Sequence, residues 1–266
     1  MHAGYVWSMG DSMKLIFPKN IFSSILNSVI PDELKKEVLY NESSLICKSL
    51  EYHTSAVAMI PTLDLVNHKN LFVSQKIGIS FDGVLSNAYF YFIEKEKSMQ
   101  KLFLRGDVSI NEILLSKIIF KELYSSPVDI TLDTNKTPET NRDYIIAGDE
   151  NFCLWNYQSS ISIADEVSNL IDLPYVNFVF ASPDKDSLIE FNKQVAAINI
   201  DKSIEENIGN ISANLDIPTR AKEFVKENID SIYFEMTGNE EDALNELIKL
   251  VFYHGIINDI FDVKFV

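Results

Sequence analysis

"GISFDGVLSNAYFYF", residues 78–92, decides how the chain is organised. It begins and ends as a buried strand, yet Asp82, Gly83, Ser86 and Asn87 interrupt it with small and polar groups. Such an interruption marks a turn, or a strand end that faces something polar. A second strongly apolar extended run, "PYVNFVFA" at 174–181, lies well downstream. Read as two crossings, the runs describe a chain that leaves one α/β lobe, builds a second and returns. The expected division is 13–90 plus 182–266 for the first lobe, 91–181 for the second, and a tail at 1–12.

The flanking sequence supports α/β units. "MKLIF" from Met13 reads as a strand that Pro18 ends, followed by a helix over 21–30 with Phe22, Ile25, Leu26 and Val29 at helical spacing. "KKEVLYN" and "SAVAMIP" read as strands around the helix "ESSLICKSLEYHT". The pattern recurs as "KLFLRGD", "SINEILLSKIIFKELYSS" and "VDITLD". Short strands alternating with helices predict a mainly parallel sheet. Beyond 182 the chain reads as helical. Ligand sites in such folds lie beyond the carboxyl ends of strands, so a cleft between the lobes is the expected site.

Composition bounds the partners. A net charge of −16 argues against nucleic acid and anionic membrane surfaces. The arginines are Arg105, Arg142 and Arg220, too few for a guanidinium clamp. A small anionic metabolite would therefore be held by backbone N–H groups, hydroxyls and amides. Cys47 and Cys153 read as small hydrophobes, and His2, His53, His68 and His254 lack metal-ligand spacing. No metal is expected. No stretch has the length of a membrane helix, and the N-terminus lacks the features of a secretory signal, so a cytoplasmic location is expected. Oligomeric state is not legible.

Several stretches, in order, resemble the menaquinone-pathway family typified by chorismate dehydratase: "SAVAMIPTLDL", "IGISFDGVLSNAYFYF", "YIIAGDENFCLW", "IDLPYVNFVFA" and the C-terminal "IDSIYFEMTGNEEDALNELIKLVFYHGII". The likeness covers most of 13–260, with Phe180 where the family usually has tryptophan. It implies a type II periplasmic-binding-protein fold acting as a cofactor-free lyase. The implied reaction dehydrates chorismate to 3-[(1-carboxyvinyl)oxy]benzoate in the futalosine route to menaquinone.

Carried over by position, Asn20 and Ser86 are the expected catalytic residues, with Asn87, Ser109, Ile110, Asn111, Gly148 and Asp149 around the substrate. Neither Asn20 nor Ser86 titrates near neutral pH, so both would orient the substrate, and a substrate carboxylate would take the proton. The residues also admit plainer readings. Asn20 suits a helix N-cap, Ser86 a turn hydroxyl, "AGDEN" a Gly-Asp turn, and His53 a helix end. Gly148 is expected to offer its backbone to the ligand, since an inward Asp149 would repel an anion. Ile110-Asn111 stand where the family has a threonine-serine pair, and Ser109 with Glu112 forms a capping-box pattern that would occupy the amides a carboxylate needs. A non-catalytic binding protein of the same fold, for a small carboxylate or aromatic metabolite, is the alternative to the lyase. A protein-interaction module without an interlobe cleft is a third.

Overall fold

The computed structural model describes residues 13–93 and 101–266. The expected tail at 1–12 lies outside the described residues. The chain opens with β1 (Leu15–Pro18), α1 (Ile21–Val29), β2 (Val38–Asn41), α2 (Ile46–Tyr52), β3 (Val57–Pro61) and the long β4 (Phe72–Phe81). A second group follows: β5 (Ala88–Tyr91), β6 (Lys101–Gly106), α3 (Ile110–Glu122), β7 (Asp129–Leu132), β8 (Tyr144–Ala147), α4 (Glu150–Leu154) and β9 (Ile161–Ser162). Then α5 (Ile163–Ile171) leads to β10 (Tyr175–Ser182), α6 (Lys185–Val195), α7 (Ile200–Asn214), α8 (Thr219–Glu227), β11 (Ile232–Glu235), α9 (Gly238–Tyr253) and β12 (Lys264–Phe265).

Two sheets result. The first has the order β11-β4-β10-β3-β1-β2, with β12 also beside β4. The second has the order β7-β6-β8-β5-β9. The α/β, two-lobed arrangement expected from the sequence is present. Its sheets are mixed where mainly parallel ones were expected. In the first, β1 is parallel to β2 and β3, whereas β10 is antiparallel to both β3 and β4. The reason is the double passage: the chain leaves the first sheet after β4 and comes back along β10, so the two strands run in opposite directions. In the second, β6 is parallel to β7 and β8, and β5, the strand that enters the lobe, is antiparallel to β8 and β9.

The division between lobes also shifts. β5 lies wholly in the second sheet, so the outbound crossing is the loop at 82–87, ahead of the expected boundary at 90. β10 lies wholly in the first sheet, so the return is made by α5 and the short loop after it, ahead of the expected boundary at 181. That helix carries Ser162 as its N-cap and ends on Asp172 in the left-handed region. Among the described C-terminal residues, the stretch at 186–215 that read as one helical run divides into α6 and α7, the latter capped by Asn199, and β11 lies between the two later helical stretches.

Each lobe buries its own apolar face, and aromatic contacts tie them together. Phe22 of α1 sits edge-on to Phe81 at 4.9 Å within the first lobe and to Phe152 of the second at 6.2 Å. All three are fully buried, worth roughly 1.5–3 kcal/mol each against exposure. Tyr157 meets Phe224 of α8 at 4.8 Å across the same division.

Candidate functional site

The site is built where the parallel strands of the first lobe end. The register Ile16↔Ala58, continued four residues, puts Asn20 beside Thr62. The register Ile16↔Leu39, continued likewise, puts Asn20 beside Ser43. Ser43, Asn20 and Thr62 thus form a row along the carboxyl edge of β2, β1 and β3, and all three are buried. The second lobe faces this row and binds it at three places. Asp107 accepts from the Ser43 backbone N–H at 2.8 Å and from its hydroxyl at 2.6 Å. Asp149 accepts from the Ile21 N–H at 2.8 Å. Asn111 accepts from the Leu63 N–H at 2.9 Å and donates to the Asn177 carbonyl at 2.8 Å and side-chain oxygen at 2.9 Å. One lobe-II acceptor therefore occupies a backbone donor beyond the end of each of three neighbouring strands.

The expected residues divide on this geometry. Asn20 caps α1, its Oδ1 accepting from the Ser23 N–H at 2.9 Å, while its Nδ2 is buried without a protein partner. The capping role and an open donor coexist. Asn87 gives its carbonyl to the Gly148 N–H at 2.8 Å, and its Oδ1 is also buried and unpartnered. Gly148 thus spends no amide on a ligand: its φ of 73° turns the chain, and a Cβ there would lie 2.9 Å from that of Asp107. Asp149, expected among the residues around the substrate, reaches inward and gives its carboxylate to α1. It stands at the N-cap position of α4 yet makes no cap bond there.

Ser86 takes the plainer role. Its hydroxyl donates to the Ala88 carbonyl at 2.8 Å and accepts from the N–H groups of Ala88 and Ala164, each at 3.2 Å. A hydroxyl has one donor and two acceptor sites, so its own chain fills them. Ala164 belongs to the first turn of α5, so Ser86 pins the outbound crossing to the return. That answers why a hydroxyl interrupts the aromatic run. Ser109 is likewise filled, within the capping box with Glu112 that the sequence indicated. Ile110 packs against the core as the first residue of α3. His53 ends α2, and Cys47 and Cys153 are free.

Sequence reasoning missed Thr62, Asp107, Asn151 and Asn177. Thr62 is fully buried with its hydroxyl unpartnered, and it follows β3 directly, so the carboxyl-end rule would have found it. Asn151 braces the turn at Gly148 by donating to the carbonyls of Ile146 at 2.8 Å and Gly148 at 3.0 Å.

The electrostatics are negative. Burial pushes the Asp149 carboxyl up to about 6, opposed by the Ile21 N–H and raised further by Asp107 and Asp216, with Lys19 acting weakly the other way. Asp107 is raised by burial, against its bonds to Ser43. Glu112, fully buried, is raised by burial too. Arg105, at the rim, is engaged by Glu150, Asp133 and the Asn135 carbonyl. Beside it an interlobe cavity of about 480 Å³ is lined by Lys19, Glu42 and Ser44 on one side and Gly106, Asp107 and Asp133 on the other. A larger depression of about 770 Å³ lies at the amino ends of β1 and β3, around Lys14, His53 and Asp186, and none of the unpartnered buried atoms lines either of these two cavities. Among the described residues no group of three His, Cys, Asp or Glu could hold a metal ion, and no helix is long and apolar enough to cross a membrane.

No family model matches this sequence, and no curated protein matches it. Solved structures do resemble the fold. An ABC transporter protein from Parabacteroides distasonis matches with a TM-score of 0.63 at 13% identity, over 96% of this chain and 99% of that one. The alkanesulfonate-binding protein SsuA from Xanthomonas axonopodis pv. citri, bound to MOPS, matches at 0.59 and 8% identity, over 96% and 97%. Protein AF1704 from Archaeoglobus fulgidus matches at 0.58 and 12%, over 93% and 100%. The chain has the periplasmic-binding-protein-like fold of substrate-binding proteins.

Proposed function

We propose that the protein binds one small polar molecule between its lobes, at the row formed by Asn20 and Thr62 and faced by Asn87. The observation that carries this is the set of unpartnered polar atoms there: Asn20 Nδ2, Thr62 Oγ1 and Asn87 Oδ1. A buried polar group without a partner costs roughly 1–3 kcal/mol, and a ligand that supplies the partners removes that cost. The likeness to substrate-binding proteins, one of them carrying a bound sulfonate buffer, supports the same reading. Binding in the cytoplasm belongs to this proposal.

A second reading is dehydration of chorismate to 3-[(1-carboxyvinyl)oxy]benzoate, with the substrate as the small anionic metabolite. Asn20 favours it, because its amide donor is open at the strand end that the family resemblance singles out. The ring hydroxyl would leave with a ring proton as water, and Asn20 would orient the departing group. Ser86 would act only through the crossing it pins, since its hydroxyl is filled.

One experiment separates the two. Chorismate and a set of small polar metabolites are added to isotope-labelled protein, the side-chain amide resonances of Asn20 and Asn87 are followed, and products are sought by mass spectrometry. Perturbed resonances without product support the binding protein. The enolpyruvyl benzoate, formed at more than stoichiometric yield, supports the lyase. Resonances that no compound moves would remove both readings.

A further inference from the structure

The three interlobe contacts fill, with the protein's own acceptors, the donors an anionic ligand would use. Asp149 and Asp107 already present carboxylates to Ile21 and Ser43, and Glu112 caps the start of α3. What stays open is different in kind: an amide donor on Asn20, an amide acceptor on Asn87 and the hydroxyl of Thr62, all at least nine-tenths buried. Asn20 and Asn87 are connected through the interlobe contact: Asn20 precedes Ile21, Ile21 donates to Asp149, and Asp149 follows Gly148, whose N–H reaches the Asn87 carbonyl.

We infer that Asp107 and Asp149 set the charge of the ligand: they exclude anions from the interlobe row, which takes an uncharged carboxamide or ureide that accepts from Asn20 and donates to Asn87. This rests on the binding reading above and names its ligand class. A primary amide offers both a carbonyl acceptor and an N–H donor, the two kinds of partner that Asn20 Nδ2 and Asn87 Oδ1 lack. An anion in the same place meets the field that Asp149 itself feels. Asp107 and Asp216 act on Asp149, Glu42 and Glu112 repel Asp107, and Lys19 acts weakly the other way on Asp149. Arg105 cannot compensate, being held by Glu150 and Asp133.

The test uses matched pairs that differ only in charge: acetamide and acetate, benzamide and benzoate, nicotinamide and nicotinate. Each is titrated into wild type and into the double variant D107N/D149N, reading the side-chain amide resonances of Asn20 and Asn87. Asparagine keeps an oxygen acceptor for the Ser43 and Ile21 amides, so the variant retains its closed geometry. Melting temperature and dispersed resonances verify that it folds. In wild type at least one carboxamide should bind about tenfold or more tightly than its acid, as one unit charge among carboxylates predicts. In the variant the preference should fall to near parity. Acids that bind wild type as tightly as the amides overturn the inference and leave the binding reading standing. A preference that survives in the variant also overturns it, by removing Asp107 and Asp149 as its cause. If no member of any pair moves either resonance, the row is not a ligand site and both conclusions fail.

Discussion

The Asp149 carboxylate, in the second lobe, accepts a hydrogen bond of 2.8 Å from the backbone N–H of Ile21, the first residue of α1 in the first lobe. A side chain at the head of one helix thus serves the head of another across the interlobe division. The contact carries a pH signature. Burial, with Asp107 and Asp216, pushes Asp149 up to about 6, above the ordinary carboxylate value near 3.9 of the unfolded chain. The folded state therefore holds this proton more tightly. The stability it contributes is fully present below about 3.9 and is lost as pH rises through about 6. Asp149→Asn has no such titration. Its stability relative to wild type should rise between pH 4 and pH 7, measured by urea denaturation at matched salt. A gap that stays flat or narrows would mean that Asp149 is not raised.

Asn111 makes the most heavily bonded of the interlobe contacts, reaching Leu63 and Asn177 with both ends of its amide. Replacement by alanine leaves the Leu63 N–H without its acceptor and removes a donor from Asn177, both in a dry place. Asn111→Ala should cost about 3 kcal/mol, as a fall in the denaturation midpoint at unchanged slope. A loss below about 0.5 kcal/mol would place Asn111 in contact with solvent, against its complete burial.

Ser86→Ala tests the pin between the crossings. Without the hydroxyl, the Ala164 N–H at the start of α5 loses its partner, as does the Ala88 pair. A loss of about 2 kcal/mol is expected, with faster amide exchange at Ala164 than in wild type. Unchanged protection there would show that Ser86 does not hold the return helix.

What the sequence disclosed follows from the range of each interaction. Local signals were readable: Asn20 as a cap, Ser109 with Glu112 as a capping box, and the alternation that gives β1 to β3 and α3. The mixed sheets were not, because the direction of β10 depends on where the chain returns, and α5, which makes the return, is a short helix just before an apolar strand. The inward turn of Asp149 and the part played by Asp107 were invisible for the same reason. Their partners Ile21 and Ser43 are distant in sequence, and nothing in "AGDEN" or "RGDVS" reports them. Ser86 was placed at the crossing from its neighbours, but its second partner, Ala164, belongs to that same unread helix.

Gly106 aims Asp107. Its φ of 85° lies in the left-handed region, and a Cβ there would come within 2.1 Å of the Ala147 carbonyl oxygen, a backbone atom that cannot step aside. The Asp107 N–H donates to that same carbonyl at 3.0 Å, which sets the side chain toward Ser43. Gly106→Ala should therefore prevent folding or cost at least about 3 kcal/mol. An alanine variant with native stability would contradict the close approach of β6 and β8 at this point.

The lobes are held closed by bonds that involve no ligand, so removing the two carboxylate acceptors should let them part. D107A/D149A withdraws the partners of Ile21 and Ser43 but keeps Asn111 and the Phe22–Phe152 contact, so each lobe retains its own core. Small-angle scattering should give a larger radius of gyration for this variant than for wild type, with near-identical far-ultraviolet circular dichroism. D107N/D149N, which keeps the oxygen acceptors, should scatter like wild type. The comparison isolates the contact from the charge, because both variants lose the same two negative charges and only one loses the hydrogen bonds. Equal radii for all three proteins would mean that aromatic packing alone holds the lobes together, and that the two carboxylates do not act as a latch.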